Sequence, residues 1–510
     1  MKAPVRAFPT LIVASIGCAM TVLDTNIVAI VLPAIARDLG ANFAQVEWVI
    51  SAYVLCFASL LLPAGAIADR YGRKRVFLAG ITGFAFASLL CGLAFSPPLL
   101  FAARALQGVG AAFLLAPALA IIGHAFHDKR ERDFAWAFWG GMMGLTMVLS
   151  PLLGGFIGWL AGWRWAFLVN LPICLALALG VVRFVTDSRD EAARRLDPAG
   201  ILLFAGTMFG ITSALIHGQE HGWTTTGTLF RFGAGLAALG LFILVETRHR
   251  EPMLDLSLFT QCRFVGAVLA MFAYAGCAQV MASLLPLLLQ NGFALTALQA
   301  GGAMLAFALA MLLFPQVGRM LGNRLAGHQI LALGLGVVAV GNLLTATGAY
   351  VIHLPALLAG MFILGAGGGL LNGETQKAIM GAVPPNRAGM ASGISTTARF
   401  SGILLGFAIL AGVLATATRT LLDAHNMTPS FSDAVVAGDL GRAIATVTPG
   451  LRAEAVDLGE RAYSMGFAGA LVVAALCAAG AAVLVLIMMR PAERLGRPIH
   501  STPSASEASQ

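Results

Sequence analysis

Apolar runs of about twenty residues recur from Leu11 to Met489, each interrupted by a short Gly, Pro or charged interval. As a helix rising about 1.5 Å per residue, such a run crosses roughly 30 Å of hydrocarbon. The pattern predicts six spans near 11–32, 48–68, 76–95, 99–122, 136–158 and 165–185. It then predicts two near 199–217 and 228–246. Six more follow near 264–287, 299–316, 328–349, 354–373, 391–415 and 464–489. The chain therefore divides into an N-terminal six-helix bundle over 1–186, two additional spans with polar linkers over 187–255, and a C-terminal six-helix bundle over 256–490. Within the last lies a long outward loop, 417–463, with mixed charge and no sustained apolar run. The Ser- and Pro-rich stretch 491–510 is expected to be a disordered cytoplasmic tail.

Composition agrees with an all-α polytopic membrane protein. Of 510 residues, 58% are hydrophobic and 11% charged, against about 25% charged in a soluble domain. The net charge of +8 invites a nucleic-acid reading, but its distribution argues otherwise. If the segment Gly65–Arg75 is cytoplasmic, most of the Lys and Arg fall on its side of the membrane, which is the positive-inside bias. Both termini then face the cytoplasm, as an even number of spans requires. The first run is long, lacks a small-residue cleavage site and contains Asp24, so it is expected to remain as a span. The seven cysteines are scattered and suit packing rather than metal or disulfide chemistry. The heavy preference for Arg over Lys suits a GC-rich bacterial genome.

Two regions join charge to tight geometry. Between spans 2 and 3, Gly65-Ala66-Ile67-Ala68-Asp69-Arg70-Tyr71-Gly72-Arg73-Lys74-Arg75 combines a turn glycine with a basic cluster and one acid. Gly72 tolerates the positive φ of a tight reversal. Acids contribute little to membrane orientation, so Asp69 is expected to have a structural or gating partner. A shift of 250 residues lays Gly72 on Gly322, Lys74 on Arg324 and Asp69 on Arg319, so the second copy of this hinge lacks the acid.

Polar groups in hydrocarbon are costly and mark function by default. In span 1, Thr21, Asp24, Thr25 and Val28 share a helical face. Burial and a nearby cation pull a carboxylate's proton affinity in opposite directions, the balance a reversible proton site needs; a structural pairing between helices is the rival. In span 4, Arg104, Gln107, Gly108 and Ala111 form a face whose permanently charged guanidinium can tune a carboxylate or bridge helices. In span 13, Arg399 lies on a stripe with Ser392, Ser395, Thr396 and Gly402, where a structural role is favoured. Span 5 carries Gly140, Gly141 and Gly144, then Ser150-Pro151-Leu152-Leu153-Gly154-Gly155, a bent and closely packing helix. Other motifs yield less. Gly365 and Gly367–Gly369 lack the Gly-Lys-Ser/Thr ending of a phosphate loop, His217 and His221 have no second ligand cluster, and Trp163-Arg164-Trp165 suits an interfacial anchor.

Taken together, these motifs resemble the major facilitator superfamily, specifically its fourteen-span drug:proton antiporter family, over nearly the whole chain. Leu23-Asp24-Thr25-Asn26-Ile27-Val28 through Leu32-Pro33 is similar to that family's span 1 motif, and Gly65–Arg75 to the superfamily's hinge motif. Arg104 with Gln107, Gly108 and Gly110 resembles the span 4 motif, and Gly144 through Gly155 the span 5 antiporter motif, with Ser150 where glycine is usual. Trp163-Arg164-Trp165 with Phe167, Asn170 and Pro172 is a further family-like string. Asn26 departs from a more usual hydroxyl or aliphatic residue.

The resemblance implies two six-helix bundles alternating access, with proton coupling at Asp24 and Arg104. It implies a cytoplasmic gate at Gly65, Asp69, Arg70, Gly72, Arg73 and Lys74, and a packing motif at Gly144, Ser150, Pro151, Gly154 and Gly155. A cavity lined by Thr21, Thr25, Asn26, Tyr53, Gln107 and Arg399 would accept lipophilic or cationic drugs and toxic compounds. No cofactor or metal is expected: the proton-motive force drives export across a bacterial inner membrane. The partners implied are a small-molecule substrate, protons and lipid, with a periplasmic adaptor and outer-membrane channel as further candidates. The alternative is a proton-coupled transporter of one metabolite, exporter or importer. An enzyme would need convergent reactive side chains within the spans, which the sequence does not offer.

Overall fold

The computed structural model describes residues 7–126, 129–189, 197–248, 256–322, 324–383 and 388–490, so the expected tail and parts of both polar linkers lie outside the described residues. Every described element is helical. Fourteen helices are long and apolar enough to cross a membrane. Spans 1 to 6 are Phe8–Leu39, Phe43–Leu61, Arg73–Gly92, Pro97–Ala125, Phe134–Leu160 and Trp165–Phe184. Spans 7 and 8 are Pro198–Gln219 and Thr226–Arg248. Spans 9 to 14 are Cys262–Asn291, Ala297–Leu321, Gly327–Tyr350, Leu354–Gly381, Gly393–Ala424 and Pro449–Met488.

Spans 1 to 6 pack as one bundle, with span 4 against spans 1, 2 and 3, and span 1 against span 5. Spans 9 to 14 form a second, in which span 11 meets 12 and 14, and span 9 meets 12, 13 and 14. The bundles touch along two lateral seams, span 5 with span 10 and span 2 with span 13. A further contact joins span 1 to the Met281–Asn291 segment of span 9, away from the hinge. Here Gln290 Nε2 donates to the Ile30 carbonyl at 2.7 Å.

The additional pair is peripheral but not detached. Only 17% of the apolar window of span 8 is buried, against 78% for span 2. Span 7 packs on both span 2 and span 13, so it covers the seam between them. Trp48 of span 2 meets Phe209 of span 7 with ring centroids 5.8 Å apart. Gln219, at the end of span 7, donates to the Ala408 carbonyl of span 13 at 2.9 Å.

The 417–463 stretch is largely helical rather than an open loop. The span 13 helix runs to Ala424, the final helix begins at Arg452, and Pro429–Val436 and Leu440–Ala445 fold between them. Phe431, Val435 and Val436 are buried while the charged residues stay at the surface. Short amphipathic turns of this kind carry too little continuous hydrophobicity to register as a span.

Candidate functional site

Asp24 of span 1 is fully buried, and donors from two other spans converge on its carboxylate. Oδ2 accepts from Arg104 Nη1 of span 4 at 2.6 Å. Oδ1 accepts from Gln107 Nε2 of the same span at 2.8 Å and from Asn170 Nδ2 of span 6 at 2.9 Å. The two amide nitrogens also donate to Ser88 Oγ of span 3, at 2.8 and 3.3 Å. Three donors thus face the carboxylate, one of them a guanidinium.

Arg104 is fixed as tightly as its partner. It donates to Gln107 Oε1 at 2.6 Å and, through Nε, to the Val49 carbonyl of span 2 at 3.0 Å. Its guanidinium lies 4.2 Å from the Tyr53 ring centroid and 5.8 Å from that of Phe167, within cation–π reach. Glycine also lets span 4 approach span 3 closely, since a Cβ at Gly110 would stand 2.6 Å from the Phe84 nitrogen. Spans 3 and 4 therefore meet backbone to backbone there.

Thus Asp24, Arg104 and Gln107 come together, while the expected hydroxyl neighbours do not join them. Thr21 and Thr25 donate to the carbonyls of Cys18 and Thr21 in their own helix, at 2.8 and 2.9 Å, the usual outlet for a helical hydroxyl. Tyr53 and Gln107, expected to line a cavity, are enclosed within the N-terminal bundle. Asn26 is half-buried on span 1.

At the hinge, Gly72 adopts φ 108° and ends one helix as the next begins. Asp69 pairs with Arg73 at 2.8 Å. The third participant, Asp187, comes from beyond span 6. Its carboxylate accepts from the Lys74 backbone nitrogen at 3.3 Å and pairs with Arg75 at 3.3 Å. Arg73 N donates to the Ser188 carbonyl at 2.9 Å, and Lys74 Nζ to the Val182 carbonyl at 2.9 Å. Gly65 and Arg70 lie on the helix entering the turn, with Arg70 over the Tyr71 ring at 5.7 Å.

Span 5 places its small residues on the bundle interface. A Cβ on Gly154 would meet the span 1 backbone at Ile27 at 3.1 Å, and one on Gly155 the Ala297 carbonyl of span 10 at 2.6 Å. Gly301 stands against the Pro151 carbonyl, and Gly144 against Leu312. Ser150 fits without glycine because its hydroxyl donates to the Thr146 carbonyl one turn earlier. In contrast, Gly140 and Gly141 face open space.

In the C-terminal bundle, Arg399 donates from Nε to Gln279 Oε1 of span 9 and from Nη2 to Asn372 Oδ1 of span 12, both at 2.7 Å. Tyr274 OH donates to the same Asn372 oxygen at 3.2 Å. The side chain of Ser392 lies outside the described set, and Ser395 is buried.

The family model described as Major Facilitator Superfamily matches residues 14–407. The chain belongs to the major facilitator superfamily. It is 34% identical over 417 residues to "Multidrug resistance protein Stp" of Mycobacterium tuberculosis (strain CDC 1551 / Oshkosh), covering 82% of this chain and 77% of that one. It is 30% identical to "Multidrug efflux pump LfrA" of Mycolicibacterium smegmatis, over 96% and 97% of the two chains. With "Tetracenomycin C resistance and export protein" of Streptomyces glaucescens it shares 32% identity over 80% and 76%. Among solved structures, a bacterial homolog of the lysosomal transporter Spinster, inward-facing and occupied, superposes with TM-score 0.68 at 15% identity, over 94% and 96% of the chains. A peptide transporter POT in complex with sulfate gives 0.63 at 16%, over 96% of each. These structures support the facilitator fold alone.

Several buried groups of this facilitator protein escaped the sequence reading. Ser88 looks like any small residue in an apolar span, and only the packing of span 3 on span 4 puts it beside Gln107. Glu47 is fully buried in span 2; the apolar run starts after it, but the helix starts at Phe43. Glu374 was hidden in the same way, because span 12 continues to Gly381. Trp163 was expected at an interface. It is 4% exposed, with its indole donating to Asp38 at 3.0 Å, whereas Trp165 stays open.

Proposed function

We propose that this chain is a proton-coupled secondary exporter of drug-like and toxic small molecules, with the Gly65–Arg75 hinge on the cytoplasmic side of a bacterial inner membrane. The observation that carries the reading is the buried Asp24–Arg104 pair, joined through Gln107 and Asn170 to three spans of one bundle. The relatives' names supply the cargo class. The membership in a transporter family, with spans and no assembled reactive triad in the reading of the sequence, favours transport over enzymatic chemistry.

Protonating Asp24 would cancel one charge of the pair and turn an acceptor into a donor. The Asn170 Oδ1 atom is buried and unpartnered, so turning that amide over would offer the acceptor a protonated Asp24 needs. Loss of the ion pair would loosen span 1 from span 4. Span 1 also packs on spans 5 and 9 at the bundle interface, which gives the proton a mechanical route to the seams. Each proton entering gains about 2.3 kcal/mol per 100 mV, enough to drive export when the two movements are coupled.

The test is Asp24→Asn in proteoliposomes with an imposed proton gradient. The variant is expected to fold and to bind substrate while losing gradient-driven export. Export at the wild-type rate would remove Asp24 from the coupling step.

A further inference from the structure

Arg399 is a permanent cation within span 13 whose partners are all neutral. Both of its hydrogen bonds go to side-chain amides. Among the described residues no carboxylate pairs with it within 4.0 Å, and the Tyr274 ring centroid stands 5.8 Å from the guanidinium carbon. Glu374 of span 12 is buried two residues beyond Asn372, but it engages Lys377 at 3.4 Å. A charge at this depth is costly unless something answers it. Gln279 and Asn372 are built in the opposite sense to a counter-ion: they position the guanidinium without neutralising it.

The surroundings show which way the site opens. Span 9 carries a π-helical turn at Ala275–Gln279, an irregularity that re-aims the side chains around it. Gly276 and Gly406 bring spans 9 and 13 into close contact at this turn, a Cβ on Gly406 falling 2.6 Å from the Gly276 Cα. That approach sets Gln279 beside Arg399. Span 9 also packs on span 1, and span 13 on span 2, so the corner they make faces the other bundle. Phe400, adjacent to Arg399, meets Phe57 of span 2 edge-on at 4.4 Å. Gln279, Asn372 and Arg399 are each partly exposed, whereas Tyr274 behind them is fully buried. The corner is thus a cationic fork with one partly exposed ring, Phe400, beside it.

We propose that Arg399, held by Gln279 and Asn372, forms a subsite for an anionic oxygen group, carboxylate or sulfonate, on an otherwise aromatic substrate. This rests on the reading of the chain as an exporter. The guanidinium meets the anion, and the partly exposed Phe400 ring, backed by buried Phe57, takes the apolar body. The protein then exports aromatic acids as well as the lipophilic or cationic compounds that the family resemblance implies.

The experiment compares two dyes in proteoliposomes, a naphthalene sulfonate, which keeps its charge at every working pH, and ethidium. Arg399→Gln is expected to lower the sulfonate-to-ethidium transport ratio about tenfold, as loss of a charge-assisted hydrogen bond would. Asn372→Asp, which supplies an internal counter-ion, is expected to lower the same ratio with the guanidinium still present. Equal losses of both dyes in both variants would overturn the subsite. So would a wild type that exports ethidium but no sulfonate. A wild type that exports neither dye would instead sink the exporter reading on which the subsite rests.

Discussion

Arg104 and Arg399 each place a guanidinium inside a span, one per bundle, and share the device of a side-chain amide as a partner. Arg104 adds a carboxylate at 2.6 Å and a backbone carbonyl, lies closer to a ring (4.2 Å to Tyr53, against 5.8 Å from Arg399 to Tyr274), and is 1% exposed. Arg399 has two amides, no carboxylate among the described residues, and a partly exposed position at the inter-bundle corner. The difference separates two uses of one residue type. A charge enclosed with its counter-charge holds helices within a bundle and, on the proposed reading, would respond if a proton removed that counter-charge. A charge held by amide dipoles and a ring face, with no counter-charge among the described residues, would keep its field available to something that arrives.

The sharpest way to break this comparison is to neutralise each arginine and measure stability. Arg104→Gln leaves Asp24 buried and uncompensated, and is expected to cost about 3–5 kcal/mol. Arg399→Gln removes no counter-ion pair and is expected to cost about 1 kcal/mol. Denaturation of the purified protein reads both. Similar losses would mean that Arg399 is as structural as Arg104, and the contrast would collapse.

A smaller effect distinguishes pairing from proton response within the N-terminal site. Asn170→Leu removes one of three donors to Asp24 together with the unpartnered oxygen that would receive a protonated carboxyl. The lost charge-assisted bond corresponds to about 1.5–3 kcal/mol. The expected outcome is efflux that persists down a substrate gradient but responds weakly to an imposed proton gradient. A proton response matching wild type would show that the amide does not take part.

Much of this contrast was legible in the chain, and the missing part has a common cause. Span count, the Gly72 reversal, and the Asp24 and Arg104 positions follow from local rules of run length, turn geometry and the cost of charge in hydrocarbon. The partners do not. Asn170 reaches Asp24 across 146 residues, Ser88 meets Gln107 only through the packing of span 3 on span 4, and the π-helical turn that positions Gln279 has no sequence signature of its own. The seam-covering position of span 7 was equally invisible, since peripheral packing and bridging use the same apolar residues. Sequence periodicity reports which face is apolar, not which neighbour meets it.

The hinges repeat the paired-versus-unpaired contrast on a smaller scale, and supply its mildest test. Gly72 sits at φ 108°, with Asp69 paired to Arg73 and Asp187 accepting from the start of span 3. Gly322 instead has an ordinary helical φ of −59°, and Arg319 is exposed. Span 3 begins at a glycine with no side-chain cap of its own, so Asp187 supplies that cap from the segment after span 6. Removing a cap costs about 1 kcal/mol, so Asp187→Ala is expected to loosen the hinge without unfolding the bundle. Asp69→Asn should slow turnover further by releasing Arg73, while Arg319→Gln should leave turnover near wild type. If transport assays gave the same loss for Asp69→Asn and Arg319→Gln, the second hinge would carry gating through contacts other than an acid–base pair. The asymmetry between the bundles would then stop at their arginines.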